Sequence, residues 1–149
     1  MALTKVQSEM AGAGQVLQVV NATSSTITST TSSSYVTTGL SASITPSSAS
    51  NKILIIATTT ARASVLTDIL TTIFRGTVSG TNLASSGMST KYNNQASEPS
   101  CITNVYLDSP ATTSATTYTF AFKSSVSGQS SNVQDASTLG TITLMEVAG

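Results

Sequence analysis

Residues 35–45 alternate between apolar and small polar side chains, and this alternation is the strongest constraint on the fold of the chain. The apolar or β-branched positions are Val36, Thr38, Leu40, Ala42 and Ile44. Successive side chains of a β-strand point to opposite faces, so this spacing predicts a strand with one buried face. Pro46-Ser47-Ser48 then predicts a turn.

Similar short runs separated by turn residues recur along the rest of the chain. Roughly eight to ten strands at 8–12-residue spacing are typical of an antiparallel sandwich. We therefore predict an all-β, jelly-roll-like antiparallel β-sandwich. In 69–75 the apolar spacing also fits a helix, and the β-branched Thr71, Thr72 and Ile73 favour a strand. The predicted strands cover residues 15–20, 35–45, 52–63, 69–75, 81–84, 88–92, 102–107, 116–123 and 138–147.

The most apolar run follows Lys52 and is expected to be a strand covered on both faces at its start. In residues 116–123, Tyr118, Phe120 and Phe122 share one face. Period-two placement of three aromatic rings predicts that this face lies in the core.

The amino-acid composition limits the classes of function that the chain can have. More than a third of the residues are Ser or Thr, only 8% are charged, the formal net charge is zero, and there is no His or Trp. A soluble domain usually carries about 25% charged residues, so we expect a hydroxyl-coated scaffold that associates with other surfaces. The six basic residues form no stripe, which argues against nucleic-acid and membrane partners. A structural or binding protein is the first interpretation.

The first residues differ from the rest and predict a short arm, residues 1–14, before a sandwich domain, residues 15–149. Lys5 and Glu9 interrupt any apolar stretch, so no signal peptide is expected and synthesis in the cytoplasm is predicted. The apolar residues of the arm are Leu3, Val6 and Met10. They are candidates for anchoring to a partner, with packing against their own domain as the alternative.

Candidate catalytic groups are few, so we predict that the chain is not an enzyme. The acids considered are Asp68, Glu98, Asp108 and Asp135, and no pair has a recognisable spacing for glycoside hydrolysis. Asp108, before Ser109-Pro110, is interpreted as a turn former. Cys101 is the only cysteine, and it is predicted to be a buried thiol. No cofactor is expected.

Metal binding is not predicted either. Asn132, Gln134 and Asp135 could offer oxygens to calcium, but the pattern falls short of a dense Asp/Asn loop. Arg62 and Arg75 lie beside apolar runs, and each is interpreted as an interface ion-pair residue or as a strand-end charge that discourages misassociation.

Several sequence blocks span nearly the whole chain from Gln15: residues 15–20, 35–46, 51–56, 74–76, 106–110 with Tyr118, and 141–146. In this order, the blocks resemble a family of small tailed-phage virion proteins, common among viruses of aquatic bacteria. The resemblance implies a structural protein on the particle surface, either decorating the capsid or forming part of a fibre, and it implies no catalytic motif.

The short arm before a compact domain favours a capsid decoration or cement protein over a fibre, which needs a long shaft. The expected partners are the major capsid protein or another virion protein, with a homotrimer hiding the sheet edges. The alternative is a receptor-binding module. Its loop would be Lys91 to Gln95, where Tyr92 offers a ring for stacking and Asn93 and Asn94 offer amides to sugar hydroxyls.

Overall fold

A computed structural model describes residues 12–64, 67–91 and 98–149. Two antiparallel sheets pack face to face, as predicted. Within the described ranges the remaining regular structure is one 3-10 turn, Asp135–Ser137. The strands are β1 Val16–Ser24, β2 Thr28–Thr30, β3 Val36–Ile44, β4 Lys52–Ala63, β5 Ile69–Arg75, β6 Thr81–Asn82, β7 Ser89–Lys91, β8 Ser100–Asp108, β9 Thr116–Ser124, β10 Ser131–Val133 and β11 Gly140–Val147.

Strand pairing is nested. β1 pairs with β11, β3 with β9, β4 with β8, and β5 with β7, always antiparallel. Among these eight strands the first pairs with the last, the second with the seventh, and so on inward. The first sheet has the order β1-β11-β4-β8, and the second has β3-β9-β5-β7. Eight strands wrapped in this way form a jelly roll, which confirms the predicted fold class.

The three shortest strands extend these sheets. β10 pairs with β4 and with β2 in the first sheet, and β6 pairs with β5 in the second. The sequence analysis predicted neither β2 nor β10. It gave β6 as residues 81–84, twice its length in the structure.

The core fills the space between the sheets. On β9, Tyr118, Phe120 and Phe122 are fully buried, as the aromatic spacing predicts. They meet the inward-facing side chains of the first sheet. Those side chains include Ile53, Ile55, Ile142 and Leu144.

The expectation that β4 is covered on both faces at its start was wrong. Ile53 and Ile55 are fully buried, whereas Leu54 and Ile56, which alternate with them along the strand, are only partly buried. The second sheet covers only one face of β4, the inner face. The outward residues of this run are therefore accessible.

A β-bulge bends β3 at its middle. The register with β9 shifts between Thr37 and Ser41, and Gly39 takes a φ of 83°, a left-handed conformation that glycine adopts without strain. The Thr38 hydroxyl donates to the carbonyl of Phe120 at 2.9 Å. This bond supplies a link to β9 where the regular ladder is interrupted.

A partly buried ion pair ties the two sheets together. Asp108, at the end of β8, accepts hydrogen bonds from Arg75 of β5, and its Oδ2 accepts one from the Tyr118 hydroxyl of β9 at 2.6 Å. Burial and this hydrogen bond to Asp108 raise the pKa of Tyr118 above its ordinary value. The interpretation of Asp108 as a turn former was therefore wrong, and Arg75 pairs within the chain.

Removal of the central ring should show how far the sandwich depends on this core. We expect Phe120→Ala to lower the free energy of unfolding by about 3–5 kcal/mol, because it deletes a fully buried ring and leaves a cavity. Urea denaturation followed by circular dichroism measures this. Val126→Ala, at an exposed position, should change stability by less than about 0.5 kcal/mol. Equal losses in both variants would contradict this location of the core.

Candidate functional site

The outer face of the first sheet carries an ordered set of outward-pointing apolar side chains. Antiparallel register places side chains of neighbouring strands side by side across β1, β11, β4 and β8. One row across the four strands is wholly apolar: Val19, Met145, Leu54 and Leu107.

The next row along the strands is half apolar. Ile56 lies beside Val105, and the row continues to Thr143 and Asn21. The Asn21 side-chain amide donates to the Thr143 hydroxyl at 2.9 Å. We call the six apolar residues of these two rows the apolar rows: Val19, Met145, Leu54, Leu107, Ile56 and Val105.

Threonines form the third row. Thr58 hydrogen-bonds Thr103 at 3.1 Å through their hydroxyls, and Thr141 and Thr23 complete the row. The row is therefore uncharged and coated with hydroxyls. The outer face thus grades from apolar at one end to hydroxyl-coated at the other.

Exposure of the apolar rows is substantial. Val105 is 59% exposed, Val19 55% and Leu107 49%. At the usual spacings of strands and residues, two rows across four strands cover roughly 19 Å by 13 Å. An apolar patch of a few hundred Å² marks an interaction surface on many soluble proteins.

Charge is scarce on the strands of this sheet. Of their four charged side chains, Asp108 and Glu146 point inward. Arg62 pairs with Asp135 at 2.7 Å, within the chain, and Lys52 is exposed at the start of β4. A partner can therefore cover the apolar rows without desolvating several ions.

Glu146 fastens the end of the sandwich where the apolar rows lie. Its carboxylate accepts hydrogen bonds from the Gln18 amide at 2.5 Å, the Ser47 backbone N–H at 2.6 Å, the Ser47 hydroxyl at 2.8 Å and the Asn51 amide at 2.6 Å. β1, the β3–β4 turn and β11 are joined at this one side chain. Burial raises the pKa of Glu146, but the hydrogen bonds from Asn51, Ser47 and Gln18 lower it by more, so it lies below its ordinary value.

The sequence analysis did not single out Glu146. A signal was present: Glu146 follows Ile142 and Leu144 at period two, so it occupies the apolar face of a strand. A carboxylate on such a face needs hydrogen-bond donors around it. Asp108 shows the same signal beside Ile102 and Tyr106 on β8.

Both sets of residues predicted from the sequence as binding sites lie outside the described residues. These are the arm residues Leu3, Val6 and Met10, and the loop residues Tyr92, Asn93 and Asn94. Their points of attachment are described. The Gly14 backbone N–H donates to the Ala148 carbonyl at 2.8 Å, beside the apolar rows, whereas β7 ends at Lys91 and β8 begins at Ser100, at the opposite end of the sandwich.

The acids considered for catalysis are dispersed. Asp108 and Asp135 are held in separate ion pairs, and Glu98 is exposed before β8. The Asp68 backbone N–H donates a hydrogen bond to the Ser125 hydroxyl at 2.9 Å. In residues 12–64, 67–91 and 98–149 no group of three or more His, Cys, Asp and Glu side chains could hold a metal ion.

The prediction of a buried thiol was wrong, because Cys101 is exposed. It precedes Ile102, which points into the core, so period two places the thiol on the outer face.

A shallow cleft of about 250 Å³ lies beside the β3 bulge, and it is lined by hydroxyls and one valine: Thr37, Ser41, Thr77, Val78 and Thr119. No helix in the described part of the chain is long and apolar enough to cross a membrane.

No family model and no curated protein matches the chain. Solved structures do match. A structure of the Gx strain of infectious bursal disease virus aligns with a TM-score of 0.57 and 16% identity, over 92% of this chain and 33% of that one. A mutant VP2 protein of the same virus, in derived T=1 particles, aligns with a TM-score of 0.52 and 14% identity, over 99% of this chain and 40% of that one.

The likeness is one of fold. This chain spans only a third to two-fifths of the solved chains that it matches, and the identities are low. The shared feature is the β-sandwich that the nested pairing already defines.

The Glu146 cluster predicts a specific pH dependence. Because the folded pKa is lowered, ionised Glu146 stabilises the fold above its ordinary pKa of 4.5, and this contribution is lost as pH falls from there through the folded pKa. We expect Glu146→Gln to lower the free energy of unfolding by about 1–3 kcal/mol at pH 7, since it removes charge-assisted hydrogen bonds.

Urea denaturation of both proteins between pH 7 and pH 3 tests this. The difference between wild type and Glu146→Gln should shrink below pH 4.5. Glu98→Gln, at an exposed position before β8, serves as a control for the simple loss of one negative charge. A difference that stays constant with pH would contradict the role of ionised Glu146.

Proposed function

We propose that the chain is a virion structural protein of a tailed bacteriophage, and that it is a capsid decoration or cement protein which binds and stabilises the head shell. One observation carries the proposal: a jelly-roll sandwich presents an almost uncharged outer face with two apolar rows. Such a face can be buried against protein at little electrostatic cost. It offers no constellation suited to chemistry.

The comparisons support the coarser part of the proposal. The solved neighbours come from structures of a virus and of particles made by its VP2 protein. The tailed-phage part rests on the sequence blocks, such as residues 35–46 and 141–146. The two lines of support are independent of each other.

The proposed attachment has two parts. The arm, through Leu3, Val6 and Met10, reaches the major capsid protein or another virion protein. It enters the sandwich at Gly14, beside Ala148 and the apolar rows, so arm and outer face can contact one surface together. A homotrimer on the particle remains part of the proposal.

A fibre or receptor-binding module is the second candidate. The loop that contains Tyr92, Asn93 and Asn94 joins Lys91 to Ser100, at the end of the sandwich opposite Gly14. A chain anchored through its arm would therefore present this loop to the outside. This arrangement favours recognition of a host-cell surface as an alternative role.

Immunogold electron microscopy of intact particles tests the first proposal. We expect label spread over the head. A chain with Leu3→Ser, Val6→Ser and Met10→Ser should lose head label, because its arm no longer offers apolar side chains, whereas Val126→Ser should retain it. Particles that lack the chain should release their genome at a lower temperature than complete particles.

Other outcomes decide against it. Label confined to the tail tip, together with weaker adsorption to host cells after Tyr92→Ala, would support the receptor-binding module instead. Absence of label from every particle would refute the virion assignment.

A further inference from the structure

β8 is a long sheet edge without the usual protection against pairing. It runs for nine residues, and every residue pairs in regular register with β4, from Ser100 with Ala61 to Asp108 with Ile53. No other described strand pairs with it. Its one charged residue, Asp108, points inward and is bound by Arg75.

The other described edges are protected. β1 has a register shift between Val16 and Gln18, and β3 has the bulge at Gly39. β2, β6 and β7 have only two or three residues each. Bulges, short length and charge are the common means by which proteins prevent edge-to-edge association. Residues 100–107 of β8 have none of them, and the one charge, on Asp108, lies at the last residue of the strand.

We propose that β8 pairs antiparallel with β8 of a second copy of this chain about a two-fold axis. The first sheets of the two copies then form one continuous sheet, to which each copy contributes the four strands β1, β11, β4 and β8. The inference does not depend on a place in a virion, since the edge is present in the isolated chain. A trimer contact would use a different surface.

The sequence of β8 is self-complementary in the register with the greatest overlap. That register places Asn104 opposite Asn104 of the second copy, Thr103 opposite the second copy's Val105, and Cys101 opposite the second copy's Leu107. Apolar and β-branched pairs of this kind stabilise antiparallel strands, and no like charges face each other. The apolar rows of the two copies then adjoin through Leu107 and Val105.

The contact is small by the standards of stable dimers. A sheet edge nine residues long and one sheet thick offers roughly 30 Å by 10 Å, well below the ~800 Å² that each partner contributes to a standard interface. We therefore expect association that rises steeply with concentration. A surface on which many copies lie side by side would favour it further.

Cross-linking tests the register. Leu107→Cys places a new thiol opposite Cys101 of the second copy, at the Cα separation that a disulfide accepts. Mild oxidation of the full chain at high concentration should give a covalent dimer on a non-reducing gel, with Cys101 joined to the new cysteine by peptide mapping. Within one chain these two positions are six residues apart on a strand, roughly 20 Å, and cannot bond.

Three controls should give no covalent dimer through this linkage. In the wild type, Cys101 of the two copies would lie roughly 20 Å apart. In Leu107→Cys with Cys101→Ser, the partner thiol is missing. In Val19→Cys, the new thiol lies on β1, at the far edge of the same face. Absence of the mapped linkage in Leu107→Cys would overturn the proposal.

A charge placed on the edge tests the pairing itself. Val105→Lys should weaken self-association at least about tenfold, measured by sedimentation velocity, because it places a charge on the pairing edge. A tenfold change in the association constant corresponds to only about 1.4 kcal/mol. Val19→Lys is the matched control, because Val19 is similarly exposed on the same outer face but at the opposite edge. It should leave association unchanged.

Other results would exclude the edge contact. Equal weakening by Val105→Lys and Val19→Lys would indicate that the outer faces stack instead. No effect of Val105→Lys on association would refute pairing through β8. So would a wild type that remains monomeric at every concentration, together with the absence of the mapped cross-link in Leu107→Cys. Thermal unfolding of each variant shows whether the fold is retained.

Discussion

β4 is the strand on which the rest of the structure depends. It has twelve residues, and it forms ladders with β8 on one side and with β11 and β10 on the other. Its inward side chains, including Ile53 and Ile55, are fully buried against the second sheet. The burial of this one face fixes which residues of the neighbouring strands point inward, since a shift by one residue would turn every side chain over. The apolar rows on the outer face are a consequence of the same register.

The few charges have structural roles at the ends of strands. Asp108 joins the two sheets through Arg75 and Tyr118, and Glu146 joins three chain segments through hydrogen bonds. Both carboxylates are buried. Buried carboxylates are tolerated only when donors surround them. Apart from Lys52 and Arg62, the outward-pointing side chains of the first sheet are therefore uncharged, which suits burial against another protein.

Much of the fold follows from period-two patterning of the sequence. β3 and β9 were predicted because apolar or β-branched residues occupy one parity along many residues, and β4 was predicted from its continuous apolar run. β2 and β10 were missed because they have three residues each and lie among Ser, Thr and Asn, which give no contrast between faces. The partners of Asp108 were also beyond local patterning, since Arg75 lies 33 residues away. The outer-face site depends on register between strands, and the chain alone does not reveal which rows align.

Nested pairing also sets the order in which the molecule can be completed during synthesis. β11 follows the other described strands in the chain, and it lies in the interior of the first sheet, between β1 and β4. Until its residues leave the ribosome, β1 has no neighbour in that sheet, and the donors around Glu146 have no carboxylate to bind. A nascent chain therefore cannot present a finished outer face. Translation itself delays assembly, because a surface suited to association exists only once β11 has been inserted.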